Sequence, residues 1–257
     1  MKFFKPIYKL YEFNLIKEVR KFPPPKHVAF IMDGNRRFAK RLGLPPYVGH
    51  VFGSKKAEEV LKWCLELKIK TVTAYAFSTE NFKRSEEEKK NLFKLIERQL
   101  KKLIEDKRIH KNRVRVKIVG KRELLPDRIK RIAEKLEEVT FSYERHLLNI
   151  AIAYGGRQEI LDAVRSVLKM IENRIIKTED INSRLIEQFL YSDNGYESVD
   201  ILIRTGGEQR LSNFLPWQTA NCLAYFCDVY WPEFRKIDFL RAIRMWQRRV
   251  FGQHIYK

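Results

Sequence analysis

The run His27-Val28-Ala29-Phe30-Ile31-Met32-Asp33-Gly34-Asn35-Arg36-Arg37 changes character halfway along. Its first six residues, largely β-branched or aromatic, read as a buried strand. The next five are polar: a glycine that frees the backbone, set among a carboxylate, a carboxamide and two guanidiniums. In an open α/β sheet ligands gather beyond the carboxyl ends of the strands, so this turn is where chemistry is expected. The residue types suit an anion. A carboxylate ligates Mg2+, backbone N–H groups at the start of a helix cradle phosphate, and arginine grips phosphate through a planar fork.

Outward from this stretch the pattern repeats. Apolar runs at 71–77, 114–119, 147–153, 199–203 and, more weakly, 223–226 alternate with segments of helical periodicity. This rhythm predicts an α/β fold with a central, mostly parallel six-stranded sheet flanked by helices. Ser85-Glu86-Glu87-Glu88 forms a capping box, in which Glu88 reaches back to the cap, and predicts a long helix from Ser85 onward. Its apolar positions Leu92, Ile96, Leu100 and Leu103 lie opposite Lys94, Arg98, Lys101 and Lys102. A last helix is expected to open at Asp238. Two more polar clusters follow strands, Ser78-Thr79-Glu80-Asn81-Phe82-Lys83-Arg84 and Arg204-Thr205-Gly206-Gly207-Glu208-Gln209-Arg210-Leu211-Ser212. One such cluster is an ordinary surface turn; three, converging on one sheet edge, point to an enzyme that handles phosphate. Neither G-x-x-x-x-G-K-[ST] nor G-x-G-x-x-G occurs, so a P-loop and a dinucleotide fingerprint have no support.

Composition sets the outer bounds. The chain has 257 residues, 44% of them hydrophobic, enough for a packed core. Its 52 Lys and Arg exceed its 32 Asp and Glu, giving a formal net charge of +20. Charge alone would fit a basic nucleic-acid-binding protein, but no nucleic-acid motif occurs and the arginines of interest sit singly at strand ends, so no nucleic-acid partner is expected. No apolar stretch approaches the ~18 residues of a membrane-spanning helix. The N-terminus lacks the compact apolar core of a signal peptide, and Cys64, Cys222 and Cys227 are too few for a disulfide framework. A cytoplasmic protein with reduced cysteines is expected. Two segments divide the chain: an amphipathic helix within 1–25, and one catalytic domain over 26–257. The helix sets Phe4, Ile7, Tyr8, Tyr11, Leu15, Val19 and Phe22 on one face, with Lys2, Lys5, Lys9 and Arg20 largely elsewhere. Such a face either packs on the protein body or lies on a membrane surface, a peripheral location.

The strand-end residues also carry a family resemblance. The stretch from His27 through Lys40 resembles the signature of the cis-prenyltransferases, the undecaprenyl and dehydrodolichyl diphosphate synthases. Further blocks match in order: Gly49-His50 with Gly53, Tyr75 through Arg84, Asn149 through Arg157, Asp200 through Phe214, Trp217-Gln218 and Trp231-Pro232-Glu233-Phe234. The resemblance spans 27–234, and the style is closest to archaeal members. It implies Mg2+-dependent condensation of isopentenyl diphosphate onto an allylic diphosphate of the geranyl, farnesyl or geranylgeranyl type, with a new cis double bond at each step. By the family pattern Asp33 binds Mg2+, and Asn35 orients the leaving diphosphate or the departing proton, with Asn81 the third catalytic position. The Gly34 backbone, Arg37, His50 and Arg84 would serve the allylic diphosphate, with Arg36, Phe38, Arg41 and Phe82 as further substrate-binding positions. Arg204, Arg210 and Ser212 would serve isopentenyl diphosphate, with Ser78, Glu80 and Asn81 between the two. Ala76 and the Leu92–Leu103 stripe resemble the wall of a hydrocarbon tunnel.

The departures are specific. Pro46 stands where many members have an arginine, and Arg41 is the nearest candidate to replace it. Gln209 and Leu223 stand where bacterial members have metal-binding histidine and glutamate. Arg249-Val250-Phe251-Gly252 is one residue longer than the R-x-G tripeptide of homodimeric members. A homodimer is expected; the alternative, a non-catalytic subunit of a heteromer, would be expected to lose the Asp-Gly-Asn cluster that this chain keeps.

Overall fold

The computed structural model of the chain describes residues 5–191 and 198–252. Six strands, β1 (His27–Ile31), β2 (Thr71–Ser78), β3 (Val114–Val119), β4 (His146–Tyr154), β5 (Ile201–Arg204) and β6 (Leu223–Phe226), form one sheet in the order β3-β4-β2-β1-β5-β6. Every neighbouring pair is parallel. The helices are α1 (Lys5–Val19), α2 (Asn35–Arg41), α3 (Pro46–Glu66), α4 (Glu86–Glu105), α5 (Lys107–Lys111), α6 (Asp127–Thr140), α7 (Gly156–Glu172), α8 (Ser183–Gln188) and α9 (Lys236–Phe251). None of the described helices is long and apolar enough to cross a membrane.

Period-two alternation sends the central strands' side chains to two cores. Val28 and Phe30 of β1, with Ile201 and Ile203 of β5, join residues of α1, α3, α4, α6 and α9. Ala29, Ile31 and Leu202 face the other way, against Tyr154, Val199, Phe214 and Leu215. On that second side the buried carboxyl of Glu159 ties α7 down. It accepts from the hydroxyl of Tyr154 at 2.5 Å, the Gln218 amide at 3.1 Å and the Tyr191 backbone N–H at 2.9 Å. Burial pushes its pKa up, while these bonds oppose the rise.

The outer strand β3 is blocked against further pairing. Thr140 accepts from the Val116 N–H, Glu137 from the Ile118 N–H, and Arg122 donates to the Ile118 carbonyl, so α6 and the preceding turn occupy its free edge.

Helix ends differ from expectation in two places. Ser85 caps α4 by accepting from the Glu88 N–H at 3.3 Å, but the Glu88 side chain does not complete the box; it accepts from Arg84 at 2.8 Å instead. Helix α9 starts two residues before Asp238, because Arg235 is its cap and donates to the Asp238 carboxylate from its backbone and its guanidinium. The described part of the N-terminal stripe faces the body. Leu15 and Val19 are buried, Phe22 stacks on Phe251, and Tyr8 and Tyr11 lie beneath Arg235 and Arg241. Lys2 and Phe4, and the side chains of Lys5 and Ile7, lie outside the described residues.

Candidate active site

A cleft of about 1080 Å³ opens beyond the carboxyl ends of β1, β2 and β5 and gathers all three polar clusters. Register explains the closest approach. Ile31 of β1 pairs with Arg204 of β5, so the residues just past each strand end meet across the cleft floor. There Arg204, 3% exposed, donates to Asp33 Oδ2 at 3.0 Å, to Ser212 Oγ at 2.6 Å and to the Arg210 carbonyl, while its buried Nε has no partner. Arg37 lies 3.7 Å from the other oxygen of Asp33 and 3.9 Å from Glu208, which also pairs with Arg210.

Gly34 starts α2 at φ 100°, and a Cβ there would stand 2.8 Å from the Tyr230 ring, so both conformation and space require glycine. The next residue is held equally tightly. The Asn35 amide donates to the Met32 carbonyl at 2.9 Å, and its buried Oδ1 has no partner. Helix α3 approaches close enough for this only because it carries Gly49 and Gly53. A Cβ at Gly49 would meet the Asn35 carbonyl oxygen at 2.0 Å, and one at Gly53 would meet Asn35 Oδ1 at 2.2 Å.

After β2 a single tight turn orients three groups. Ser78 Oγ accepts from the Asn81 N–H at 3.2 Å and Asn81 Oδ1 accepts from the Ser78 N–H at 3.0 Å, which leaves the Asn81 NH2 directed elsewhere. Burial would raise the pKa of Glu80, but hydrogen bonds from Asn213, Ser78, Thr79 and its own backbone hold it below the usual value. Opposite, Glu88 collects Arg84 at 2.8 Å, Arg36 at 3.6 Å and His50 at 3.8 Å. Burial and the neighbouring Arg84 charge depress His50 to about 4, so its imidazole is neutral at pH 7.

Of the residues singled out from sequence, Asp33, Gly34, Asn35, Arg36, Arg37, His50, Ser78, Glu80, Asn81, Arg84, Arg204, Arg210 and Ser212 all line this cleft. Three lie away from its walls. Phe38 packs edge-on against Phe52, and Phe82 joins Phe77 and Phe93 in the core. Arg41 is paired with Glu233 at 2.6 Å and sits over Tyr230, outside the cleft lining. Polar cleft residues not given a role from sequence are Lys40, Arg157 and Asn213; Glu88, behind the cleft wall, pairs with the cleft arginines Arg84 and Arg36. A polar residue one helical turn from a recognised cluster was the available signal for Lys40.

Beneath the cleft lies an apolar cavity of about 170 Å³ between α3, α4 and the β2 and β4 strands, walled by residues such as Ala74, Ile96, Leu100, Leu103 and Ile150. Met32, Asn35, His50, Ala76 and Leu92 line both spaces, so the two adjoin along these side chains. An arginine-rich cleft beside a hydrocarbon-lined pocket suits amphiphiles with a multiply charged anionic head and an apolar tail.

Comparison with known proteins narrows the class. The undecaprenyl diphosphate synthase family model matches residues 31–252. A tritrans,polycis-undecaprenyl-diphosphate synthase (geranylgeranyl-diphosphate specific) of Archaeoglobus fulgidus is 59% identical over 242 residues, covering 94% of this chain and 96% of that one. The synthase of the same name from Thermococcus kodakarensis is 52% identical over 246 residues, 96% and 93% of the two chains. Among solved structures, lavandulyl diphosphate synthase from Lavandula x intermedia, in complex with dimethylallyl diphosphate, superposes with a TM-score of 0.82 at 31% identity, over 87% of this chain and 95% of that one. The chain belongs to the undecaprenyl diphosphate synthase family of cis-prenyltransferases and is an archaeal-like member. It is therefore a prenyl-transferring enzyme.

Proposed function

We propose that the enzyme extends geranylgeranyl diphosphate with successive isopentenyl diphosphate units to a cis-polyprenyl diphosphate. The observation that carries this reading is the adjacency of cleft and cavity, which share Met32, Asn35, His50, Ala76 and Leu92: the primer's diphosphate would stay among the arginines while its tail passes these residues into the apolar space. The curated archaeal relatives, named as geranylgeranyl-specific, support the primer.

The donor set fits Mg2+ in one particular way. Asp33 carries a half-exposed carboxylate, and among the described residues no three His, Cys, Asp or Glu side chains cluster to form a cage. A single carboxylate suits a cation that keeps waters and draws its remaining ligands from substrate phosphates. When bound, Mg2+ would offset the charge building on the leaving diphosphate. The chain's own residues do the rest. Arg36, Arg37, Arg84 and His50 hold the primer's diphosphate; Arg204, Arg210 and Ser212 hold that of isopentenyl diphosphate. Asn35 and Asn81, each fixed by its own backbone contacts, keep the two reacting ends in line, and such positioning is a large share of the available rate. The C–O bond to the primer's diphosphate breaks, the isopentenyl double bond supplies the electrons for the new C–C bond, and a proton leaves the adduct. A homodimer belongs to the same proposal, as does peripheral membrane contact through Leu10 and Phe13, which are 61% and 54% exposed on α1.

The test is incorporation of labelled isopentenyl diphosphate by purified protein with Mg2+ and each of the three primers. Elongation with geranylgeranyl diphosphate favoured is expected. Failure of the protein alone to incorporate label would overturn the reading. Arg210→Ala should raise the KM for isopentenyl diphosphate roughly tenfold and that for the primer much less; the reverse would exchange the two sites.

A further inference from the structure

Most cations around the cleft already have a carboxylate. Arg36 and Arg84 share Glu88, Arg37 lies between Asp33 and Glu208, Arg204 holds Asp33 and Arg210 holds Glu208. A phosphate arriving at any of these must share the guanidinium with a carboxylate or displace it. Lys40 and Arg157 differ: both line the cleft, and among the described residues neither makes an ion pair. Their charge is free for a ligand.

The two stand at different ends. Lys40 is in the last turn of α2, where Gly43, Leu44 and Pro46 form the wall. This is the α2–α3 side, to which Asn35 and His50 belong, and through those residues the cleft meets the apolar cavity. Arg157 is in the first turn of α7, and its backbone N–H donates to Asn213 Oδ1 at 2.8 Å. Asn213 follows Ser212 in the chain, and Arg157, Arg210, Ser212 and Asn213 line the cleft but not the apolar cavity. An amphiphile whose tail fills the cavity has its head group on the Lys40 side. A short-tailed diphosphate has no need of the cavity and fits the Arg157 side.

We propose that Lys40 captures the diphosphate of the long-tailed primer and Arg157 captures that of isopentenyl diphosphate, each as a substrate-positioning cation of one site only. This rests on the two-diphosphate reading of the cleft given above. Lysine is a compact, strongly hydrated point charge rather than a fork, so Lys40 contributes attraction more than orientation. Its removal should therefore appear in binding more than in turnover.

Steady-state kinetics with each substrate varied in turn provides the test, on protein whose melting temperature matches that of the unaltered chain. Lys40→Met should raise the primer's KM roughly tenfold, with the isopentenyl KM within about twofold, and Arg157→Met should do the opposite. Lys40→Arg should restore the primer's KM. Lys101→Met removes the same charge from an exposed pair with Glu97 on α4 and should shift neither constant, which excludes a long-range effect of net charge. Movement of both constants together in either variant, movement of neither, or a swapped pattern would each overturn the assignment. A parent protein that incorporates no label would remove the two-diphosphate reading itself, and the assignment with it.

Discussion

Asp33 and Arg204 meet at 3.0 Å across the ends of two adjacent parallel strands, and the arginine is buried while the carboxylate is half-exposed. The pair couples fold to chemistry. Arg204 needs a carboxylate because a buried guanidinium without one is costly, and Asp33 is held with one oxygen turned toward this partner. Replacing Asp33 by Asn keeps the shape and removes the charge. Turnover should fall by roughly a hundredfold or more, with the circular-dichroism spectrum unchanged and a modest loss in melting temperature from the uncompensated Arg204. Near-normal incorporation of labelled isopentenyl diphosphate would end the assignment of Asp33 as the metal-binding carboxylate.

Gly53 lines the apolar cavity, and a side chain added there would be aimed at Asn35. An added methyl group would stand 2.2 Å from Asn35 Oδ1 and 3.1 Å from Trp231, and of these the amide is the easier to displace. Gly53→Ala should therefore fold, lose on the order of 1–3 kcal/mol of stability from overpacking, and lose roughly a hundredfold in kcat as Asn35 shifts. Full activity with a lowered melting temperature would show that Asn35 is not where the chemistry is set.

Much of this arrangement is legible in the amino-acid sequence. Strands stand out because β-branched and aromatic runs such as Val28-Ala29-Phe30-Ile31 end abruptly in polar turns, and the parallel sheet follows from the helical patterns between them. What is not legible has physical causes. Glu88 lies three residues after Ser85, which satisfies the spacing of a capping box; its nearest partner is Arg84, four residues before it, and two more, Arg36 and His50, come from helices distant in the chain, of which local spacing carries no trace. Arg41 is one residue from Lys40, yet a helical step of about 100° separates them, and Glu233 claims the arginine while the lysine remains in the cleft. Phe82 sits inside a polar cluster, but its ring is drawn to Phe77 and Phe93. The Leu92–Leu103 stripe looks the same whether it faces ordinary core or a cavity, because both are lined by the same side chains.

His50 makes stability depend on pH in a defined window. Its folded pKa of about 4 lies below the ordinary 6.5, chiefly through burial and secondly through Arg84. Between these values the unfolded chain binds a proton that the folded chain refuses. The contribution is complete above pH 6.5 and is lost progressively as pH falls toward 4, by on the order of 3 kcal/mol at most. Thermal melts of the parent chain and His50→Gln should diverge in slope across that window, the variant being flatter, since glutamine does not titrate. Parallel curves would mean that His50 is not held neutral by its surroundings.

The N-terminal helix poses a choice between packing and membrane contact, and its two faces separate the answers. On the inner face Gln247, 2% exposed, donates from one amide to the carbonyls of Val19, Phe22 and Pro23 at 2.9, 3.2 and 3.1 Å, closing the end of α1 onto α9. Glu18 adds contacts to Arg244 and Arg248. Gln247→Ala leaves those three carbonyls without their donor and should cost on the order of 1–3 kcal/mol, read as a lower melting temperature and faster proteolysis before Pro23. On the outer face Leu10 and Phe13 have no such role. Leu10→Ser with Phe13→Ser should leave the melting temperature within about a degree, because neither side chain is buried on folding. The same double variant should weaken co-sedimentation with anionic vesicles if that face meets a bilayer, because apolar burial and basic charge are the terms that hold a surface helix there. Unchanged co-sedimentation would assign α1 to packing alone.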